Sequence, residues 1–571
     1  IEGISQSVSF RVLDVEQIGY VYEGLLDQDA KVATDWVVGV AADPRGEKNG
    51  PELALTELEA QLDKGDAAFA VWLSPQCKIG STKRSTASIL KSLNATPAKQ
   101  AWAQCLEACG GNADTAKRVL RFHGLLRNDP RGLPVVYPPD SLYLTDSSLR
   151  ASTGAVYTPR SLAQEVVERT LEPLVHSPGP LDTEERAQWR IRTPDEILDL
   201  KVIDIAAGSG AFLASATRYL ADQLIEARRV HGQAANVGED EGQALTDARR
   251  SILDHCIYGV DINPMAVEMC KLSLWLITLD KARRFGFLDD RIVSGDSLLG
   301  FATSQQLEYV HFDPRRGRAL HDPHQTDILG PTVSDVLHRA SVVRRQIAAI
   351  EMSDAHSAHA KSLLLEEASA ITRRLVALGD SMSAASLGGG TDSRFSSAFA
   401  LWRLDTPRGG PTADLASDVP FALTASDGKR HMPCHFPLVF PEVFDRPRPG
   451  FDAVVGNPPF LSGKKISGIY GVSYREHLSR AIAQGRAGSP DLIVFMFLRA
   501  VELLGGSGQV GLIATKSLAE GGNRRVGLDW LVGRGLDLRA SVKSRQWATD
   551  AASLSYCIVW GSNQAREAGV R

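Results

Sequence analysis

An asparagine followed by two prolines and a phenylalanine, Asn457-Pro458-Pro459-Phe460, closes the apolar run FDAVVG. Proline holds its own φ near about −65°, offers no amide hydrogen and confines the residue before it to extended backbone. Two in succession make a stiff arm beyond the strand, on which the side-chain carbonyl of Asn457 and the main-chain carbonyl of Pro458 are held in one array. Both oxygens can accept hydrogen bonds from a single exocyclic NH₂ group. Accepting both hydrogens draws the nitrogen toward tetrahedral geometry and frees its lone pair to attack an electrophile, with no ionisable base required. Phe460 supplies a flat face against which a base can stack. A proline turn ending a strand is the plain alternative, but it leaves unexplained why this triplet follows FDAVVG and lies downstream of a second group of candidate residues.

That second group begins in DIAAGSGAF, which places Gly208 and Gly210 in a turn between a strand and a helix. Without side chains there, the backbone can come close to a ligand. Leu213 stands where a dinucleotide fingerprint has its third glycine, so close pyrophosphate packing is not expected. Asp261, in YGVDINP, ends the next strand, where a carboxylate can accept both hydroxyls of a ribose. Asp296, in VSGDSLL, ends a third and can accept a hydrogen bond from an adenine amino group. Taken singly, each acid is an ordinary exposed strand-end residue. Glycine turn and two acids at successive strand ends form a set along one sheet edge, where doubly wound folds bind ligands.

The elements that must hold these residues can be followed along the chain. Residues 1–150 carry apolar residues at three- and four-residue spacing in LDVEQIGYVYEGLLD and ELALTELEAQLDKG, which predicts a helical front domain. The proline-rich NDPRGLPVVYPPDSLY marks a boundary. Over residues 151–300 the strand-turn-helix rhythm of LKVIDIAAGSGAFLASATRYLADQL recurs in CIYGVDINPMAVEMCKLSLWLITL, and DDRIVSGDSLLG adds a strand; this predicts a parallel sheet covered by helices. Residues 301–445 break the rhythm and read as an insertion, with a helical hairpin over 334–378 and a flexible polar loop in GDSMSAASLGGGTDSRFSS. Residues 446–571 resume the sheet with GFDAVVGNPP, the helix PDLIVFMFLRAVELL, GQVGLIAT and SLSYCIVWG.

Composition narrows the function classes. A chain of 571 residues, 43% hydrophobic and 23% charged, can bury the cores of two or three domains. No apolar run approaches the roughly 20 residues that span a bilayer, so no membrane partner and a cytoplasmic location are expected. The cysteines lack paired CxxC spacing, which argues against a zinc ribbon or a disulfide framework; no metal is expected, and Cys105 and Cys109 read as buried packing. With a net charge of −5, any nucleic acid must meet a local basic patch. Lys464, Lys465, Arg475 and Arg480, just beyond the arm, suit phosphates as well as they suit a solvated surface.

The series TGAVYTP, DIAAGSGAFL, GVDINPMAVEMCKLSLWL, SGDSLL and GFDAVVGNPPF resembles the gamma-class N6-adenine DNA methyltransferases, in particular the large Eco57I-like enzymes of type IIG restriction-modification and of the BREX and DISARM phage-defence systems. The resemblance implies an α/β fold with a seven-stranded, mostly parallel Rossmann-like sheet, S-adenosylmethionine as methyl donor, and double-stranded DNA whose target adenine is flipped into the arm's pocket. Other subunits of a defence or restriction system are further candidate partners. By the same resemblance Thr158 and Pro159 line the methionine end of the cofactor. Asp204 with Ala206 and Gly208 contacts its amino-acid part, Gly210 of the same turn is a further cofactor-binding residue, Asp261 holds the ribose, and Ile262 with Asp296 meets the adenine. Asn457, Pro458, Pro459 and Phe460 carry the target base, and Trp547 is a candidate for its second face. No acid, acid-x-lysine nuclease cluster is found, and no recognition domain follows the last strand, so the chain reads as a methyltransferase core or a subunit that borrows its specificity. Two rivals remain: a glutamine-N5 methyltransferase of the kind that modifies release factors, and a catalytically silent DNA-binding scaffold on the same fold.

Overall fold

The computed structural model describes residues 28–44, 48–79, 82–146, 158–233, 241–278, 288–320, 332–350, 355–404, 423, 431–546 and 555–563. The chain divides into two compact units, Gly24–Ala151 and a larger one made of Ile1–Glu23 with Ser152–Arg571.

In the front unit the expected helices are present, among them Leu55–Leu62, Asp66–Leu73, Ala101–Ala108 and Ala113–Leu120. They share a core with an antiparallel sheet of Val37–Ala41 between Asn49–Ala54 and Val136–Tyr137, a sheet the helical reading did not foresee. The reason lies in ELALTELEAQL. Leu53 and Leu55 satisfy a two-residue period, Leu55 and Leu58 a three-residue one, and all of them are buried, so strand passes directly into helix. The proline-rich stretch supplies strand Val136–Tyr137 and the start of Leu142–Asp146, and so is built into this unit. LDVEQIGYVYEGLLD lies outside the described residues. Cys105 and Cys109 are buried in the front core, and burial pushes both thiols up, Cys109 to about 11, as packing requires.

The larger unit is built on seven strands: β1 Val202–Asp204, β2 Ile257–Asp261, β3 Ile292–Ser294, β4 Phe451–Gly456, β5 Leu504–Thr515, β6 Asp537–Gln546 and β7 Ser555–Ser562. Their order is β3-β2-β1-β4-β5-β7-β6, with β3 through β5 parallel and β7 antiparallel to both of its neighbours. Successive residues face opposite cores. Val202, Ile257, Ala453, Val455 and Ile513 pack with helices α1 Arg160–Val175, α2 Ala211–Val230, α3 Glu241–His255 and α4 Pro264–Thr278. Ile203, Tyr258, Val454 and Leu512 pack on the other face with Phe436, Phe440 and the apolar helix Leu492–Glu502. Burial on both faces explains why these strands read as continuous apolar runs. Strand order reverses between β1 and β4, and ligands bind outside the carboxyl ends at such a point.

The insertion contains the expected hairpin, Val333–Ala348 and Ala355–Leu387, followed by helix Asp392–Leu404. The polar loop expected over 379–397 is corrected by the structure: the second hairpin helix runs on to Leu387. Its small residues serve close packing. A Cβ on Gly379 would lie 2.5 Å from the His435 ring, Ser383 Oγ donates to the Leu299 carbonyl at 2.9 Å, and Ala384 and Leu387 join the sheet core. Lys361 Nζ lies 2.7 Å from Asp290 Oδ1, and Arg344 lies 3.8 Å from the same carboxylate and 3.1 Å from Glu442, tying the hairpin to the residues before β3 and before β4. Burial alone would raise Asp290, but these cations hold it down to about 2.

Candidate active site

The expected residues converge at the carboxyl ends of β1, β2, β3 and β4. Asp204 ends β1 and is buried, its Oδ1 accepting the Ala206 amide at 2.9 Å. The turn then passes through Gly208 (φ +52°) and Gly210 (φ +89°), left-handed conformations that favour glycine. Gly210 is required twice over, because a Cβ there would lie 2.8 Å from Cys270 Sγ on α4. Asp261, at the end of β2, accepts the Gly208 amide on Oδ2 and the Asn263 amide on Oδ1, each at 2.8 Å, and so fixes the glycine turn against the start of α4. Beside it Ile262 presents an apolar side chain that is 47% exposed.

Asp296 follows β3. Its Oδ1 accepts from the Leu298 amide (2.9 Å) and the Tyr474 hydroxyl (3.2 Å). Oδ2 is buried and accepts no hydrogen bond among the described residues, with His431 Nδ1 3.9 Å away. The end of the insertion lies alongside: the Asp296 amide donates to the Met432 carbonyl and the Cys434 amide to the Asp296 carbonyl. Tyr474 is stacked between Tyr470 (5.0 Å) and His431 (5.4 Å). Sequence reasoning missed these three rings. The four-residue spacing of Tyr470 and Tyr474 after the arm was a usable signal, but nothing in it pointed to Asp296, 178 residues away from Tyr474.

The arm leaves β4 through Gly456, whose missing Cβ would lie 2.6 Å from Asp204 Oδ1. Only glycine lets the end of β4 pass the β1 acid so closely. Asn457 Nδ2 donates to Thr158 Oγ1 at 3.0 Å, joining residues 299 positions apart. With its nitrogen given to Thr158, the carbonyl oxygen is the atom of that amide that can accept. Thr158 is buried, and Pro159 stands at the N-cap of α1. Pro458 is buried; Pro459 and Phe460 are half-buried, with Phe460 against the core that α1 shares. Lys464, Lys465 and Arg475 are exposed, whereas Arg480 pairs with Glu476 and reaches the Ser386 carbonyl of the insertion. Thr153–Tyr157 and Trp547 lie outside the described residues.

Burial, and then the neighbouring Asp261 charge, pushes the Asp204 carboxyl up to about 8; burial also raises Asp261 and Asp296. Among the described residues neither Asp204 nor Asp261 has a cationic side chain paired with it. A carboxyl whose folded pKa is raised contributes stability that is complete below its unfolded value and is lost as pH rises through the folded value. Thermal denaturation of the ligand-free protein should therefore show Tm declining from about pH 4 to about pH 8, and Asp204→Asn should flatten that decline. Parallel curves for the two proteins would show that the carboxyl is not held protonated.

The strand order with its single reversed strand, and a ligand edge lined by an acid on each of β1 and β2 and just after β3, define the Rossmann-like methyltransferase class of fold. The Eco57I restriction-modification methylase family matches residues 255–353 and 424–527, segments that hold Asp261, Asp296, the hairpin's first helix and the arm. The type II restriction enzyme and methyltransferase RM.Eco57I of Escherichia coli is 29% identical over 127 residues, 22% of this chain and 11% of that protein. A relative from Methanocaldococcus jannaschii, provisionally described in the same words, is 29% identical over 153 residues, 22% of this chain and 12% of its own length. The matched parts are thus about a ninth of those proteins. Among solved structures, the Type IIL restriction-modification enzyme MmeI in complex with DNA aligns with 79% of this chain and 42% of its own at 11% identity and a TM-score of 0.34. The Type ISP enzyme LlaGI with a DNA substrate mimic covers 88% and 38% at 11% identity and a TM-score of 0.30. No helix among the described residues is long and apolar enough to cross a membrane.

Proposed function

We propose that the chain transfers a methyl group from S-adenosylmethionine to N6 of an adenine in double-stranded DNA. The observation that carries this reading is the Asn457 amide, oriented by Thr158 at the sheet edge that holds the buried acids Asp204 and Asp296 and the half-buried Asp261. The residues present fit the cofactor. Asp296 Oδ2 is a buried acceptor suited to an adenine amino group, Ile262 offers an apolar face to that ring, and Tyr470 with Tyr474 closes the same side. Asp261 suits the ribose hydroxyls, and Asp204 with the Ala206–Gly210 turn suits the cationic amino-acid end. Bound there, the cofactor supplies a methyl group made electrophilic by its sulfonium. The chain's part is to hold and polarise the acceptor: the Asn457 and Pro458 carbonyls accept both hydrogens of the adenine amino group, and Phe460 stacks on the ring. Methylation leaves N6 with one proton too many, which passes to water, since no ionisable side chain is needed to activate a nitrogen already drawn toward tetrahedral geometry.

Support comes from the family match, which takes in the arm, and from the structure of the site. Incubation with tritiated cofactor and mixed-sequence duplex, followed by digestion to nucleosides, should place the label in N6-methyldeoxyadenosine. Label in glutamine of a protein substrate would favour the release-factor type of chemistry, and cofactor binding without transfer to either would favour a silent scaffold.

A further inference from the structure

We propose that Asp491 is a positioning residue for the arm, holding its exit at a fixed distance from the cofactor edge; this rests on the adenine-methylation reading. The arm's entry is set by the close passage of Gly456 over Asp204 and by the Thr158–Asn457 hydrogen bond. Residues 457–462 belong to no helix or strand, so nothing in their own backbone ladder fixes where the chain goes next. The exit is fixed instead by one carboxylate. Asp491 Oδ1 accepts the Gly463 amide at 2.9 Å, and Oδ2 accepts both Ser517 Oγ at 2.7 Å and Asn523 Nδ2 at 2.9 Å. The Asp491 amide donates back to Asn523 Oδ1 at 2.9 Å, and the next amide, Leu492, donates to the Leu461 carbonyl at 2.8 Å.

Three segments therefore meet at one side chain: the arm, the start of helix Leu492–Glu502 and the stretch after β5. That helix is buried along its length in the sheet core, which makes it a rigid anchor. Gly463 leaves no slack, because a Cβ there would lie 2.3 Å from the Ser489 carbonyl oxygen. The donor set also demands a carboxylate. Two acceptor atoms face three donors, so an amide at 491 would point its NH₂ at the Gly463 N–H or at the Asn523 NH₂. A reacting atom displaced by about 1 Å can lose roughly a hundredfold in rate, so slack at the exit is felt at the target amino group.

The test uses the whole chain with Asp491→Asn and with the double variant Asp491→Asn/Asn523→Asp. In the double variant the amide at 491 can donate to the carboxylate at 523 while its oxygen still accepts from Gly463, which restores the junction with its polarity exchanged. Expected for the single variant is a kcat for methyl transfer lower by roughly ten- to a hundredfold, with cofactor Kd unchanged within about twofold, since no cofactor residue touches the junction. The double variant should recover most of the rate. Hydrogen exchange supplies a readout that needs no activity: the amides of Gly456, Asn457 and residues 460–463 should exchange faster in the single variant, with those of 206–210 unaffected. Unchanged kcat and unchanged exchange in the arm, or a loss of Tm and cofactor binding together with unchanged kcat per folded molecule, would overturn the proposal. Faster arm exchange in a parent protein that transfers no methyl to adenine would leave Asp491 in place and remove the reading of function instead.

Discussion

Replacing Asn457 with alanine is expected to lower methyl transfer by at least about two orders of magnitude while leaving cofactor affinity nearly unchanged. Asn457 donates to Thr158, whereas Asp204 accepts the Ala206 amide, Asp261 the Gly208 and Asn263 amides and Asp296 the Leu298 amide, so these bonds of the three acids remain when the Asn457 amide is gone. On the proposed mechanism, what is lost is one of the two acceptors for the hydrogens of the target amino group. Steady-state transfer to duplex and calorimetric binding of the cofactor, measured on the same preparations, separate the two effects. Transfer at the parent rate would remove the arm from the chemistry. A parallel fall in affinity would place Asn457 on the cofactor.

The second large effect belongs to Asp261. Asp261→Ala should weaken cofactor binding by about 1.5 to 3 kcal/mol, the range for hydrogen bonds made by a charged group, which is roughly a ten- to hundredfold rise in Kd. The side chain works twice: it faces the ligand edge, and it holds the Gly208 and Asn263 amides. Asp261→Asn keeps one acceptor and should fall between the parent and alanine. Transfer at saturating cofactor should recover in both variants, since neither touches the arm. Equal affinities by calorimetry would take Asp261 out of the cofactor site.

The residues of the candidate site were legible because each is short-range information. A proline pair fixes an arm, a glycine turn needs positive φ, and an acid at the end of an apolar run sits at a sheet edge. The strands buried on both faces were legible for the same reason. β6 was not, because Asp537–Gln546 lies at the sheet edge with mostly exposed and charged residues and has no apolar run to announce it. The helix beyond residue 378 was hidden by its own composition, since glycine, serine and alanine serve a flexible loop and a tightly packed helix equally well; only the neighbours His435 and Leu299 decide between them. The Tyr470, Tyr474 and His431 stack is long-range by nature, being brought to Asp296 by chain segments that no local pattern connects.

β1 and β4 are neighbours in the sheet, Ala453 opposite Val202 and Val454 opposite Ile203, though about 250 residues of chain separate them. During synthesis the amino-terminal part emerges first, so β1, β2 and β3 with their acids exist well before the strand that completes them. Until β4 arrives, one side of β1 is an open strand edge of the kind that recruits other chains. A product broken off within residues 301–445 would carry the cofactor acids without the arm, and would meet chaperones and proteases as an unfinished sheet. Completion of the sheet thus waits on the β1–β4 pairing, the same pairing that brings the start of the arm against Asp204.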